Sequence, residues 1–297
     1  MSTTVPTAYD LYFAGGGRAA GGTRTPQDEE REDLFFHSIE CRNGTRKTTR
    51  HHRLDDLNAL VQGFLPSQRP LEIMDVAVSS GVSTAEWLVA LEEAGVECRM
   101  LAGDAVVEAF LISFGRLRAL ADKTGHLMQL DVGGRAVRLP PPRRRDRVRY
   151  LPFITAMKAA TGLFGLGTAG EQTQRRFGVT CRPLTLLSPS LSQFPHLRAV
   201  EDDILLNKSY SRRFHVLRAA NILNLVYFDQ PTLERMLLNL RARLLPGGLL
   251  IVCRTNEAGV NNASLFTLKE DGRFMATARL NAGSEIADLV LRLPPER

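Results

Sequence analysis

The stretch LEIMDVAVSSGVSTAE, residues 71–86, decides the fold that we predict for this chain. Its apolar first half, 71–76, is typical of a short buried strand, and the small residues at 79–81 are typical of a loop that allows close approach to the backbone. Ser83 and Glu86 match the S-x-x-E capping box at the start of a helix. The stretch therefore predicts a strand, a loop and a helix N-terminus in direct succession.

The predicted helix, 84–94, presents unpaired backbone N–H groups in its first turn, and such a terminus attracts a carboxylate or a phosphate. The dinucleotide fingerprint G-x-G-x-x-G is absent, because Gly81 is the only glycine in the turn. This absence argues against a pyrophosphate ligand. A cofactor that ends in an amino-acid carboxylate, such as S-adenosyl-L-methionine, fits the loop better.

The composition is that of a globular protein. With 297 residues, of which 44% are hydrophobic, the chain has room for one large α/β domain with additions or for two small domains. It opens with no signal-peptide pattern, and no apolar run approaches the roughly 18–20 residues of a spanning helix, so we expect a cytoplasmic protein without a transmembrane segment. Four scattered cysteines and a histidine pair at 51–52 lack the spacing of a metal site, so we expect no metal.

The excess of basic residues, a formal net charge of +6, is concentrated in two segments, 42–53 and 140–149. Such segments are typical of surfaces that contact the phosphates of a nucleic acid or an anionic membrane. A solvated surface without a partner is the alternative that this composition leaves open. The arginines of the second segment are Arg143, Arg144, Arg145, Arg147 and Arg149.

Periodicity extends the prediction along the chain. Helical spacing is present over at least part of 105–122, a Gly-Gly pair at 133–134 predicts a hairpin, and α/β alternation resumes at 184–191. Further on, 221–227 reads as a short helix, and the turn at 271–272 closes an antiparallel hairpin. We therefore predict an α/β fold with a doubly wound, mostly parallel, seven-stranded sheet that ends in an antiparallel hairpin.

The order of these parts over 71–291 resembles a Rossmann-like, class I S-adenosylmethionine-dependent methyltransferase. In that family a G-x-G-x-G loop follows the first strand, and here VSSGVS stands in its place. Asp75 occupies the position of the acid at the end of that strand. The resemblance implies that Asp104 holds the ribose hydroxyls and that Asp203 meets the adenine amino group.

The segment 214–257 is similar to the corresponding part of chemotaxis-receptor glutamate methyltransferases. A strand, a turn, a helix and a Pro-Gly-Gly stop follow one another in the same order in both. The matching residues are Arg218, Asn221, Ile222, Leu223, Tyr227 and Phe228. This likeness implies the fold and the cofactor and leaves the methyl acceptor open.

The resemblance implies a methyltransferase domain at 69–297 with an insertion at about 105–182. The Gly-rich composition of 1–26 predicts a flexible tail, and the apolar helical segments within 27–68 predict a lid over the cofactor. The residues that the resemblance and the predicted loop assign to cofactor binding are Asp75, Val76, Ala77, Ser79, Gly81, Ser83, Asp104, Ala105, Asp203, Ile204, Arg218 and Asn221. The candidates for catalytic groups, on the rim after the fourth strand, are Asn221, Asn224 and Tyr227.

Three functions agree with these residues. The favoured one is methyl transfer to a small metabolite, or to a carboxylate or hydroxyl of a larger acceptor, with the insertion and the N-terminal segment forming the acceptor pocket. An RNA methyltransferase that uses the basic loops is a second. A catalytically degenerate fold that binds the cofactor and serves as a partner module is a third, because the loop keeps a single glycine.

Overall fold

The computed structural model describes residues 4–14, 25–42, 44, 46, 47, 50–168, 172–206 and 210–295. The chain divides into two compact units. Unit 1 comprises Met1–Arg50 and Val106–Gln193, and unit 2 comprises His51–Ala105 and Phe194–Arg297.

The helices of the described residues are α1 (Ala8–Tyr12), α2 (Pro26–Ser38), α3 (Asp55–Gln62), α4 (Val82–Glu93), α5 (Arg144–Gly162), α6 (Gln230–Arg243) and α7 (Ala287–Leu291). The strands are β1 (Leu71–Val76), β2 (Cys98–Asp104), β3 (Glu108–Phe114), β4 (Leu117–Asp122), β5 (Leu127–Val132), β6 (Arg135–Arg138), β7 (Gln174–Arg176), β8 (Val179–Thr185), β9 (Leu197–Glu201), β10 (Phe214–Ala220), β11 (Leu244–Thr255), β12 (Asn261–Leu268) and β13 (Phe274–Leu280). Short 3-10 turns lie at Leu166–Thr168 and Pro189–Gln193.

Unit 2 contains a seven-stranded, mostly parallel sheet within the described residues, in the order β13-β12-β11-β10-β1-β2-β9. The five neighbouring strands β9, β2, β1, β10 and β11 pair in parallel, and β12 and β13 pair antiparallel at one edge. The chain moves from β1 outward to β2 and β9, and then returns to the other side of β1 as β10. Strand order therefore reverses between β1 and β10, which is where open α/β sheets bind ligands.

Helices cover both faces of this sheet. Alternate residues of β1 point to opposite sides, so that Ile73 packs with α3 and α4 and Met74 packs with α6. Trp87 of α4 and Leu237 of α6 are fully buried in the two cores. Burial on both faces explains the apolar run LLIVC at 249–253 in β11.

Unit 1 is built around an antiparallel sheet, β6-β5-β4-β3-β8-β7 in its described residues. Helix α5 packs on one face, and α1 and α2 pack on the other. The buried side chain of Gln129 on β5 connects α1 and α2 to the sheet, because it accepts a hydrogen bond from the Ala8 amide at 2.9 Å and donates to Pro6 and Ser38.

Unit 1 corrects two predictions. Residues 105–122, predicted to be helical, form the β3–β4 hairpin with Gly115 at φ 58° in its turn. Residues 184–191 do not resume the α/β alternation, because Leu184 and Thr185 complete β8, which pairs antiparallel with β3. In both segments long-range strand pairing decided the structure over local periodicity. The Gly-Gly pair at 133–134 joins β5 to β6.

The two units have other boundaries than the predicted domains. The inserted segment runs to Gln193, beyond the predicted end at 182. The predicted lid, 27–68, is divided, since α2 packs within unit 1 and α3 packs within unit 2. Of the predicted flexible tail, 1–26, the structure describes 4–14 and 25–26; the remainder lies outside the described residues.

The four cysteines are buried, and no disulfide bond joins them. Burial raises the pKa of Cys98 and of Cys181 to about 11 and that of Cys253 to about 12, so these thiols stay protonated near neutral pH. Among the described helices, none has the length and apolar character needed to cross a bilayer.

Candidate functional site

The carboxyl ends of β1, β2, β9 and β10 lie at one edge of the unit 2 sheet, because these four strands are parallel neighbours. The reversal of strand order between β1 and β10 falls within this edge. Most of the residues predicted to bind the cofactor lie at these strand ends or in the loop that follows β1. The fold thus brings these sequence candidates together at one edge of the sheet, and in open α/β sheets this is the edge at which ligands generally bind.

The loop after β1 has an alternating backbone conformation. Ala77, Ser79 and Gly81 have φ values of 55°, 61° and 80°, all in the left-handed region. This is the i, i+2, i+4 spacing of a G-x-G-x-G loop, here made with alanine and serine at the first two positions. A left-handed conformation costs about 1–2 kcal/mol at a residue with a side chain, so the surrounding contacts must hold it.

Those contacts come from β2. The Val78 amide donates to the carbonyl oxygen of Gly103 at 3.1 Å, and the Ser79 amide donates to the Asp104 carboxylate at 2.8 Å. Gly103 is tightly enclosed, since a Cβ there would lie 3.1 Å from both Asp202 Cβ and Met74 Cε. Asp104 is partly exposed at this edge and thereby links the loop to the end of β2.

The capping box predicted from Ser83 and Glu86 is wrong. Helix α4 begins at Val82 with Gly81 as its N-cap, and no side chain caps it. Ser83 therefore lies inside the first turn, where its buried hydroxyl has no hydrogen-bond partner in the described chain. Glu86 instead accepts a hydrogen bond from the His52 amide at 2.9 Å. The left-handed Gly81 ended the loop earlier than the S-x-x-E spacing implied.

Asp75 and Arg218 form a buried ion pair at the point where strand order reverses. The two residues are direct neighbours across β1 and β10, and their side chains are 4% and 1% exposed. Arg218 Nε donates to Asp75 Oδ1 at 3.1 Å, and Nη2 donates to Oδ2, which gives the bidentate geometry. Thr84 Oγ1 also donates to Oδ2, at 2.7 Å, and so fixes the first turn of α4.

The remaining donors of Arg218 face other protein groups. Nη1 donates to Asn58 of α3 at 3.0 Å, Nη2 donates to the Ser83 carbonyl at 3.0 Å, and the guanidinium lies 4.2 Å from the ring centre of Trp87. A guanidinium committed in this way is a structural group, so we remove Arg218 from the cofactor candidates. Sequence reasoning missed Asn58, Thr84 and Trp87, which lie on helices and carry no motif.

A second buried pair separates the roles of two adjacent acids. Asp202 is 3% exposed and accepts from Arg243 Nη1 at 2.6 Å. Asp203 is partly exposed, and its carboxylate accepts from the Leu205 amide at 2.9 Å. The pairing with Arg243 therefore leaves Asp203, the acid preferred from the sequence, at the accessible edge.

The predicted short helix at 221–227 is a series of turns, and its asparagines hold those turns together. Asn221, at φ 63°, accepts from the Thr255 amide at 2.7 Å, and the carboxamide of buried Asn224 accepts from the amides of Val226 and Tyr227. These bonds stabilise the turn conformation against a helix. Tyr227 is 63% exposed.

Three other cofactor candidates have simpler environments. Val76 and Ile204 are buried in the core that α6 covers, and Ala105 is exposed after the end of β2. A cavity of about 340 Å³ lies elsewhere, in unit 1, where Lys123, Lys158 and Phe164 are among its lining residues. None of the predicted cofactor residues lines it. No cluster of metal-ligating side chains occurs among the described residues.

Comparisons with known proteins find distant structural likeness only. No protein-family model matches the sequence, and no curated protein matches it significantly. The CMeT domain structure of the citrinin polyketide synthase is 13% identical, with a TM-score of 0.37, over 78% of this chain and 40% of that chain. The PH0226 protein of Pyrococcus horikoshii OT3 is 10% identical, with a TM-score of 0.36, over 81% of this chain and 79% of its own.

The N-methyltransferase NodS of Bradyrhizobium japonicum WM9, solved with S-adenosyl-L-homocysteine, is 12% identical with a TM-score of 0.33. The likeness covers 78% of this chain and 74% of that chain. Similarity at this level identifies no activity for the chain.

The left-handed loop makes a prediction about glycine. Replacing both Ala77 and Ser79 by glycine should leave the free energy of unfolding unchanged or raise it by up to about 2 kcal/mol. Glycine relieves the left-handed strain of the folded loop, and this gain offsets the greater backbone entropy that glycine gives the unfolded chain. The matched control is Ala90→Gly in α4, which should lower the free energy of unfolding by about 1 kcal/mol. Urea unfolding measures both, and a loop variant as destabilised as the control would contradict the loop conformation.

The buried pair makes a second prediction. Arg218→Met should lower the free energy of unfolding by about 3–5 kcal/mol, because it leaves the Asp75 carboxylate buried and unpaired. Adding Asp75→Asn should recover part of that loss. The control is Arg254→Met, which removes the ion pair to Glu285. Both of those side chains are about one-third exposed, so this change should lower the free energy of unfolding by less than about 1 kcal/mol. Strict additivity of the Asp75 and Arg218 effects in denaturant unfolding would show that the two do not interact.

Proposed function

We propose that this chain is an S-adenosylmethionine-dependent methyltransferase that acts on a small metabolite or on a carboxylate or hydroxyl of a larger acceptor. The observation that carries the proposal is the edge of the unit 2 sheet. There the loop alternates through left-handed conformations at 77, 79 and 81, and its backbone is hydrogen-bonded to the acid that ends the next strand.

The start of α4 fits the amino-acid end of this cofactor. Helix α4 has no side-chain cap, so the Val82 and Ser83 amides of its first turn remain to meet an anionic group. The buried Ser83 hydroxyl, which has no hydrogen-bond partner among the described residues, adds a donor at the same place. A carboxylate there would satisfy these donors and would interact favourably with the helix dipole.

The acids at the neighbouring strand ends fit the adenosine end. Asp104 stands at the end of β2 and is partly exposed, in reach of a ligand over the loop. A carboxylate accepts two hydroxyl hydrogen bonds in bidentate fashion, which suits the ribose diol. Asp203, after β9, is the corresponding candidate for the adenine amino group.

The bound cofactor would supply a methyl group that is already activated as a sulfonium. The protein's own task is then to align an acceptor nucleophile with that methyl and to exclude water, which needs few dedicated catalytic groups. The side chains of Asn221 and Asn224 are engaged in turn hydrogen bonds, so we give both a positioning role. Exposed Tyr227 remains the candidate for contact with the acceptor.

A module that binds the cofactor without turnover is the second candidate. The engagement of Asn221 and Asn224 in the loop favours it, because it removes two of the three predicted catalytic groups. Methyl transfer from radiolabelled cofactor to candidate acceptors separates the two functions. Cofactor binding is common to both.

The site makes a prediction about affinity. Asp104→Ala should weaken binding of S-adenosyl-L-homocysteine by about tenfold to a hundredfold, since charge-assisted hydrogen bonds contribute roughly 1.5–3 kcal/mol. Titration calorimetry with the full chain measures the affinity, and Asp271→Ala, in the exposed β12–β13 turn, is the matched control. Absence of binding to the folded native protein would refute the proposed function, and an unchanged affinity in Asp104→Ala would place the ribose elsewhere.

A further inference from the structure

The first two turns of α5 in unit 1 carry a dense group of arginines. Four of the five arginines in the basic segment 140–149 lie on the helix, and Arg143 is its N-cap residue. All five are exposed, and Asp146 is the only acid among them. The side chains of Arg143, Arg144 and Arg145 form no hydrogen bond or ion pair with any described residue, so their charges are directed to solvent.

The outward face of α5 combines these arginines with apolar side chains. Tyr150, Met157 and Ala160 form the buried face of the helix. At about 3.6 residues per turn, Val148 and Leu151 fall on the opposite side, one turn and two turns after Arg144. Val148 is 73% exposed and Leu151 is 58% exposed.

Folding alone does not account for this arrangement. The N-terminus of a helix carries a partial positive charge, so arginines in the first turn are unfavourable there unless an anion is present. Exposed aliphatic side chains at the centre of a basic surface likewise contribute no hydrophobic free energy to folding, because they stay in water. Both features become favourable together at a surface that offers negative charge above an apolar layer.

We propose that this surface, the α5 basic face (Arg144, Arg145, Val148, Arg149 and Leu151), binds an anionic lipid bilayer. The arginines contact lipid phosphates, and Val148 and Leu151 enter the boundary between headgroups and acyl chains. Two aliphatic side chains give weak, reversible binding that depends on charge. The inference rests on unit 1 alone and is independent of the proposed function.

A nucleic acid is the competing partner for the same charges. Phosphate contacts require the arginines but give no role to an exposed Val148 and Leu151 at their centre. Single-strand surfaces also stack bases on exposed aromatic rings. On α5, Tyr150 is buried in the core of unit 1, and Phe153, which is 37% exposed, falls on the same side of the helix as Tyr150. The exposed aliphatic pair therefore favours the bilayer.

Vesicle co-sedimentation of the full chain tests the proposal, with phosphatidylcholine vesicles that contain or lack phosphatidylglycerol. Native protein should bind the anionic vesicles only, and less at high salt. Arg144→Gln with Arg145→Gln should reduce partitioning about tenfold or more, whereas the charge-matched control, Arg135→Gln with Arg175→Gln, should reduce it much less. The charge-preserving pair Arg144→Lys with Arg145→Lys should bind like native protein.

The apolar pair distinguishes the partners. Val148→Gln with Leu151→Gln should also lower vesicle binding severalfold, whereas Phe177→Gln, at a side chain that is 89% exposed outside the helix, should not. Circular dichroism confirms that each variant is folded. Equal binding to neutral and anionic vesicles, or vesicle binding that is unaffected by the Val148 and Leu151 changes, overturns the proposal. Binding to single-stranded RNA that requires the arginines, with no vesicle binding, overturns it in favour of a nucleic-acid interface.

Discussion

The bidentate pair between Asp75 and Arg218 is the interaction on which unit 2 depends. Two charges this deeply buried are tolerated only if their donors and acceptors are nearly all satisfied, and here Asn58, Thr84 and the Ser83 carbonyl complete the set. The ion pair belongs to β1 and β10, and its partners belong to α3 and α4. The Arg218 side chain thus connects two helices and two strands at the point where strand order reverses.

The geometry of the candidate site follows from that constraint. Because Asp75 is held at the end of β1 and Thr84 is held in α4, the intervening loop must turn within a few residues. It does so through alternating left-handed positions that Ala77 and Ser79 adopt under strain and Gly81 adopts freely. Strained backbone of this kind persists where the surroundings define it, and Ala77 and Ser79 place it at the carboxyl edge of the unit 2 sheet.

The sequence predicted this part of the molecule well because its signals are local. An apolar strand, a small-residue loop and a helix are encoded within 71–94, and the turn at 271–272 likewise marks its own hairpin. Unit 1 was not predictable in the same way. Its sheet pairs β3 with β8, far apart in sequence, and the spacing of 105–122 fits a helix as well as a hairpin. Arg218 was misread because its match to a known pattern says nothing about whether a guanidinium faces a ligand or a buried carboxylate.

The proposed function places the cofactor on the edge of the unit 2 sheet that follows β1 and β2. Hydrogen exchange of the full chain, measured by mass spectrometry with and without S-adenosyl-L-homocysteine, tests it most directly. A ligand bound at this edge should slow exchange of the amides at 77–84 and 103–105, because these amides lose contact with water. Exchange of the amides around the unit 1 cavity, beside Lys123 and Lys158, should stay unchanged. Unchanged exchange at 77–84 and 103–105 under saturating ligand, or protection confined to unit 1, would contradict it.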